Sequence, residues 1–252
     1  MWSELERAFH ALCAEEGRDG VLAAAPLSEV RLLPEQQEYL RGKLEMLRLP
    51  SDEITAVSLG IAYQREEIEA IPRGWHTNKP PDSRWDDYVH AYHRVNQILN
   101  RISCVLAESF NGVAERATMD GLIGQVAHVA QYFPYCISHR SVAEAAGLGW
   151  RGKHGLIVTP EYGPGLRLAS IFLPGRLGSP RSELRGCGEC EACLDVCPLL
   201  RKAVGQSDLN GYREACRRRI KALALDADVC GICVRRCWEA VTASGVDCFS
   251  TR

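Results

Sequence analysis

The chain has 252 residues, 46% of them hydrophobic, and its 30 lysines and arginines against 32 aspartates and glutamates leave a net charge of −2. That length allows one large domain and one small one, each with a buried core, while the near balance of charge gives no strong field for a polyanion. No stretch approaches the roughly 18 apolar residues of a membrane helix. Met1-Trp2-Ser3-Glu4 leads into charged, helix-patterned sequence rather than a signal peptide or twin-arginine leader, so a cytoplasmic location without a membrane partner is expected.

Leu5, Phe9 and Leu12 recur at helical spacing ahead of Gly17, and Tyr39, Leu40, Leu44 and Leu47 do so between Pro34 and Leu47. Both patterns predict helices that cover a sheet. Ile54 to Tyr63 is β-branched and almost continuously apolar, which predicts a strand buried on both faces. Proline and polar residues mark Pro72 to Asp82 as a loop. Ser83 and Asp86 then stand three apart, the spacing that caps a helix. Tyr88, Tyr92, Val95, Leu99, Ile102 and Leu106 form that helix's packing stripe until Asn111-Gly112, with His90 and His93 as its exposed flank. Ser138 to Ala146 reads as a short helix ending at Gly147. Gly155 to Thr159 and Leu166 to Leu173 follow as strands around the turn Glu161-Tyr162-Gly163-Pro164-Gly165. The Pro, Gly, Ser and Arg content of Pro174 to Gly186 marks a linker between a mixed α/β domain and a cysteine-rich module, placing the domains at residues 1–178 and 179–252.

In that module Cys187, Cys190, Cys193 and Cys197, followed by Pro198, spell C-x2-C-x2-C-x3-C-P, the spacing with which a loop and a first helical turn wrap thiolates around an iron–sulfur cube. A second run, Cys230-x2-Cys233-x3-Cys237, lies downstream, with Cys216 between the two. In two-cluster ferredoxins the last cysteine of each motif ligates the other motif's cluster. The crossed assignment gives Cys187, Cys190, Cys193 and Cys237 to one [4Fe-4S] cluster and Cys197, Cys216, Cys230 and Cys233 to a second. Structural zinc fits less well, because it favours two separated C-x2-C pairs, and a reducing cytosol keeps thiols from pairing. Trp238 stands where the second motif would carry a proline, which supplies no ligand. Cys13, Cys104, Cys136 and Cys248 are left over and read as small buried hydrophobes.

From Arg201 onward there are ten lysines and arginines against six acids, including Arg217-Arg218-Arg219 and Arg235-Arg236. Such runs are read as solvated helix faces or as an offset to the negative charge of thiolate-ligated clusters. Upstream, Gly147-Leu148-Gly149-Trp150-Arg151-Gly152 fits G-x-G-x-x-G. A dinucleotide site needs a strand before those glycines and a helix after them, and here the order is reversed. What remains is either a tight helix-to-strand connection packed by Trp150 or a backbone that approaches something bulky, with Lys153 and His154 as polar handles.

The run Ala146-Gly147-Leu148-Gly149-Trp150-Arg151-Gly152-Lys153-His154, then Leu156-Ile157-Val158, Pro160-Glu161-Tyr162-Gly163 and the first cysteine motif, resembles epoxyqueuosine reductase and its relatives, which include the reductive dehalogenases. The resemblance is densest from Ser138 to Pro198, extends through Cys237, and upstream is faint but collinear. It implies an α/β (α+β) architecture: a nitroreductase-like domain that binds cobalamin base-off, followed by a small ferredoxin-like domain whose two [4Fe-4S] clusters feed the corrinoid electrons. Carried onto this chain, it makes Gly147, Leu148, Gly149, Trp150, Gly152, Lys153 and His154 the cofactor-binding residues. Fourteen residues before the first glycine the reductases hold a proton-donating aspartate, and that register falls here on Phe133. His139, Tyr135 and Tyr132, in that order, are the nearby candidates for the proton donor. Cys136 lies in the same stretch.

The expected function is that of an iron–sulfur reductase passing electrons through a corrinoid to a small substrate, fed by a flavodoxin- or ferredoxin-type donor. Alternatives are an electron-transfer or corrinoid-reducing partner protein without substrate turnover, and a reductase whose glycine loop holds a flavin. The near-neutral charge, and cysteine motifs followed by no helical repeat region, argue against a tRNA substrate.

Overall fold

The computed structural model describes residues 1–118, 126–179, 186–205 and 209–243. It divides into two compact units whose chain segments interleave: residues 1–62, 95–150 and 166–184 form one, and residues 63–94, 151–165 and 185–252 the other. Among the described residues no helix is long and apolar enough to cross a membrane.

The first unit is built on a four-stranded antiparallel sheet in the order β1-β2-β6-β3, from Gly20–Pro26 (β1), Ile54–Ala62 (β2), Val113–Glu115 (β3) and Leu166–Pro174 (β6). Every residue of β2 is buried, as its unbroken apolar run predicts, although its neighbours pair with it antiparallel. Strand β1 escapes the sequence pattern because Ala23, Ala24 and Ala25 have weak strand preference; they lie in the core all the same. Close approach also constrains it, since a side chain at Gly20 would meet the Gly60 carbonyl and the Phe9 ring, both at 2.7 Å.

Helix α1, Trp2–Glu15, covers this unit with Leu5, Phe9 and Cys13. Cys13 thus takes the core position the sequence reading gives to Leu12, keeping a spacing of four along one face. Helix α2, Pro34–Leu44, and helix α5, His139–Ala146, enclose a cluster of Val30, Leu40, Leu44, Ile54, Ala56, Ile137, Val142 and Phe172. Ser138 begins α5 by accepting a hydrogen bond from the Ser141 amide at 3.3 Å, and Gly147 ends it at φ +72°, a conformation glycine adopts without strain.

Helix α4, Trp85–Ser109, crosses the division between units at Arg94 and Val95, and all six residues of its predicted stripe are buried. Its predicted cap is not made: Ser83 Oγ is buried without a hydrogen-bond partner among the described residues, and Asp86 pairs with Lys79 instead. His90 is exposed and His93 partly so, both against Asp226.

The sequence reading placed strands at Gly155 to Thr159 and Leu166 to Leu173, around the turn at 161–165. Both exist: the first is only Ile157–Val158 (β5), which pairs with Trp150–Arg151 (β4) in a separate two-stranded sheet, while β6 lies in the four-stranded sheet. The remaining elements of the second unit are α3, Arg65–Glu69, and four helices of the cysteine module, α6 Ala192–Val196, α7 Pro198–Gly205, α8 Leu209–Leu223 and α9 Ile232–Ala243. Arg235, itself buried, anchors α9 by donating to the carbonyls of Glu69, at 2.6 Å, and Ile71. Trp238 sits against Gly165, where a side chain would meet its ring at 3.0 Å. The residue in the proline position therefore packs the 161–165 turn.

Candidate functional site

The cysteine module converges two groups of thiols. Cys187 and Cys190 lie in the turn before α6, Cys193 on α6, Cys197 between α6 and α7, Cys216 on α8, Cys230 in the loop after it, and Cys233 and Cys237 on α9. Pro198 opens α7 where a proline's missing N–H costs nothing. Burial pushes the Cys193 thiol up to about 12, and the nearby Cys187 and Cys190 add to it. Cys237, forty residues later, is raised by burial and by those same three cysteines. The second group behaves alike. Burial, then Cys230 and Cys197, push Cys216 up to about 11, and Cys233 is raised by burial and by Cys230, Cys216 and Cys197. Cys193 also acts on Cys233, and both belong to one apolar cluster with Leu194, Cys197 and Leu200, so the two groups adjoin.

All eleven described cysteines are free thiols, and among the described residues no group of three or more His, Cys, Asp or Glu is spaced to grip a single metal ion. The groups are instead mutual neighbours at charge-coupling range, four thiols in each. As a donor set this suits a cube: every candidate ligand is a thiol, and binding a cluster releases thiol protons.

The glycine loop is split by the unit boundary. In the first unit Gly147 closes α5, with Leu148 and Trp150 buried, as a tight connection requires. In the second, a side chain at Gly152 would meet His154 Cε1 at 2.8 Å and Val158 at 3.0 Å. His154 is buried, and its Nδ1 accepts from the Leu156 amide at 3.1 Å, which leaves the proton on Nε2. That Nε2 is buried with no partner among the described residues, and burial lowers the ring's pKa to about 4. A neutral imidazole presenting an unanswered N–H fits a ligand that offers an amide or phosphate oxygen. Lys153 lies within charge range of Cys193. Lys153 and the first thiol group therefore lie within charge range of each other in one unit.

The three candidate proton donors occupy different surroundings. His139 is buried, its Nε2–H donating to the Arg116 carbonyl at 2.8 Å and its Nδ1 accepting from Ser170 Oγ at 2.9 Å. Tyr135 is half exposed, and Tyr132 is partly buried. Cys136 is a buried thiol bonded to the Tyr132 carbonyl and raised to about 11 by burial and then by Glu115. Sequence reasoning missed Glu115. This buried carboxylate on the edge strand β3 accepts from Tyr39 at 3.2 Å and pairs with Lys43. Its one sequence signal is an acid ending a three-residue strand. Of the leftover cysteines, Cys13 is buried, Cys104 partly so, and Cys248 lies outside the described residues.

Burial, the chief cause, and the charges of Arg167 and Lys43 lower His139 to about 4. Above pH 6.5 the ring is neutral folded and unfolded; between 6.5 and 4 only the unfolded chain takes up the proton. Stability is therefore expected to fall as pH drops through that window, by about 3 kcal/mol, and then to level off. Denaturant unfolding against pH should show a slope that His139→Gln, which can keep both hydrogen bonds, makes shallower, the buried His154 keeping its own share. Parallel profiles for the two proteins would refute this.

Two interleaved groups of free thiols, each buried or partly buried, are a donor set of the kind that iron–sulfur clusters take. No family model matches the chain. Among curated proteins it is similar to epoxyqueuosine reductase of Lactococcus garvieae (strain Lg2), 28% identical over 211 residues that make up 77% of this chain and 54% of that protein. To epoxyqueuosine reductase of Synechococcus sp. (strain RCC307) it is 27% identical over 167 residues, 64% of this chain and 44% of that one. The chain thus spans about half the length of the curated relatives it matches. A selenomethionine-labelled epoxyqueuosine reductase structure covers 85% of this chain at 20% identity and a TM-score of 0.46, with 57% of its own chain covered. Another solved reductase, bound to an epoxyqueuosine-modified tRNA-Tyr stem loop, covers 81% at 19% identity and a TM-score of 0.39, with 53% of its own chain covered.

These findings correct the expectation about partners. The sequence argument set tRNA aside in favour of a small molecule or a corrinoid protein, yet the curated relatives are named for epoxyqueuosine, a modified nucleoside. The flaw was physical. Phosphate recognition depends on local basic surface, and a whole-chain charge of −2 averages over it.

Proposed function

We propose that this chain is an iron–sulfur oxidoreductase that reduces a modified nucleoside carried by tRNA, with epoxyqueuosine as the substrate class. Reduction of an epoxide takes two electrons and two protons. In this reading residues 1–178 form a nitroreductase-like cofactor domain and residues 179–252 a ferredoxin-like domain. Cys187, Cys190, Cys193 and Cys237 hold one [4Fe-4S] cluster, and Cys197, Cys216, Cys230 and Cys233 the other. Gly147, Leu148, Gly149, Trp150, Gly152, Lys153 and His154 hold a base-off cobalamin, His154 answering a cofactor oxygen with its buried N–H and Lys153 standing beside Cys193. When bound, the clusters supply single electrons and the corrinoid joins them into a two-electron reduction.

The observation that carries this reading is the pair of coupled thiol groups, each drawing on both cysteine motifs. Proton delivery falls to Tyr135 or Tyr132 rather than His139, whose two ring nitrogens are engaged inside the protein. The test is anaerobic reconstitution with iron, sulfide, cobalt and flavin analysis, followed by reaction of the loaded protein and a reductant with epoxyqueuosine-containing tRNA. About eight irons, one corrinoid and conversion of the nucleoside by mass spectrometry are expected. Flavin in place of cobalt, or an unchanged nucleoside, would overturn the proposal.

A further inference from the structure

The basic run Arg217-Arg218-Arg219 divides three ways. Arg217 pairs with Glu214 at 3.8 Å, and Arg218 is exposed. Arg219, one helical turn after Cys216, lays its guanidinium over the Trp75 ring with Cζ 3.5 Å from the centroid. Its Nε and Nη2 are buried and have no hydrogen-bond partner among the described residues. Buried donors left without acceptors are destabilising, and a stack on tryptophan holds the cation but satisfies neither N–H. The guanidinium lies within charge range of the second thiol group and acts on both Cys197 and Cys216. On the same helix Tyr212 donates its hydroxyl to Cys216 sulfur. The two unanswered donors thus sit at the edge of a group that would carry negative charge once loaded.

We propose that Arg219 sets the reduction potential of the cluster held by Cys197, Cys216, Cys230 and Cys233, its Nε–H and Nη2–H donating to sulfur of that cluster or its ligands. This rests on the cluster reading above. In the step concerned one electron arrives from an external reductant, no bond is made or broken, and the cluster becomes more negative by one charge. A fixed cation and two donors stabilise that reduced state and raise the potential. Trp75 is the platform that keeps the fork in place, and lysine cannot replace it because it lacks the planar stack.

The experiment is an EPR-monitored redox titration of anaerobically reconstituted wild type, Arg219→Gln, Arg219→Lys and Arg218→Gln, each with iron counted. Wild type with about eight irons and two resolved midpoints secures the cluster reading independently. In Arg219→Gln one midpoint is expected to fall, cutting the reduced-to-oxidised ratio of that cluster about tenfold at fixed potential, or about 59 mV for one electron. The other midpoint should stay, and Arg218→Gln should move neither. Unmoved midpoints in Arg219→Gln, or an equal shift in Arg218→Gln, would overturn the proposal. If Arg219→Gln loses iron, Arg219→Lys decides. Iron retained with a lowered midpoint supports the assignment; iron lost there too, or a wild-type midpoint, makes Arg219 a structural residue and refutes it.

Discussion

Replacing Cys197 with serine is expected to halve the iron of the reconstituted protein, from about eight per chain to about four. The loss should fall on the cluster shared with Cys216, Cys230 and Cys233, because those are the thiols that Cys197 meets. Double replacement separates the possible wirings. With crossed ligands, Cys193→Ser with Cys197→Ser strikes both clusters and leaves almost no iron, whereas Cys216→Ser with Cys197→Ser strikes one cluster twice and still leaves about four. If each motif instead held its own cluster, the first pair would retain about four irons, and the assignment would be wrong.

Trp85→Ala is expected to destabilise the protein by about 3–5 kcal/mol, the range for emptying a buried aromatic site. Trp85 has no exposed surface, and its indole N–H donates to the Cys230 carbonyl at 2.7 Å. Truncation would open a cavity and strip the peptide of a proposed ligand of its donor. Gly231 follows at φ +80°, with Tyr88 and Ile71 so close that a side chain would meet them at 2.7 and 2.8 Å, so the turn has little room to adjust. Trp85→Phe keeps most of the volume and loses only the hydrogen bond, which should cost about 1 kcal/mol. Anaerobic urea unfolding of the loaded protein measures both; equal midpoints for the alanine variant and wild type would show that the site is not tightly packed.

Much of this was legible in the residues. The cysteine motifs are short local patterns whose thiols the fold gathers into two groups, and β2 and the α4 stripe carry long patterns. What failed depends on distant partners. Strand β1 is alanine-rich and held by burial, and β3 is too short to show a period. His139 looked like an acid–base group because its partners, Arg116 and Ser170, lie 23 and 31 residues away. Trp238 read as a lapse in the motif because its neighbour Gly165 is far off in sequence.

The interleaving of the second unit has a practical consequence. Segments 63–94 and 151–165 supply Trp85, Tyr88, Ile71 and Gly165, which roof or brace Cys230, Gly231 and Trp238. A fragment begun at residue 179 would leave its ligand-bearing peptides uncovered, and the buried guanidinium of Arg235 would have lost both its carbonyl acceptors. The cysteine-rich end of this protein is not a detachable cassette, and transplanting it onto another protein would mean transplanting stretches of the amino-terminal half as well.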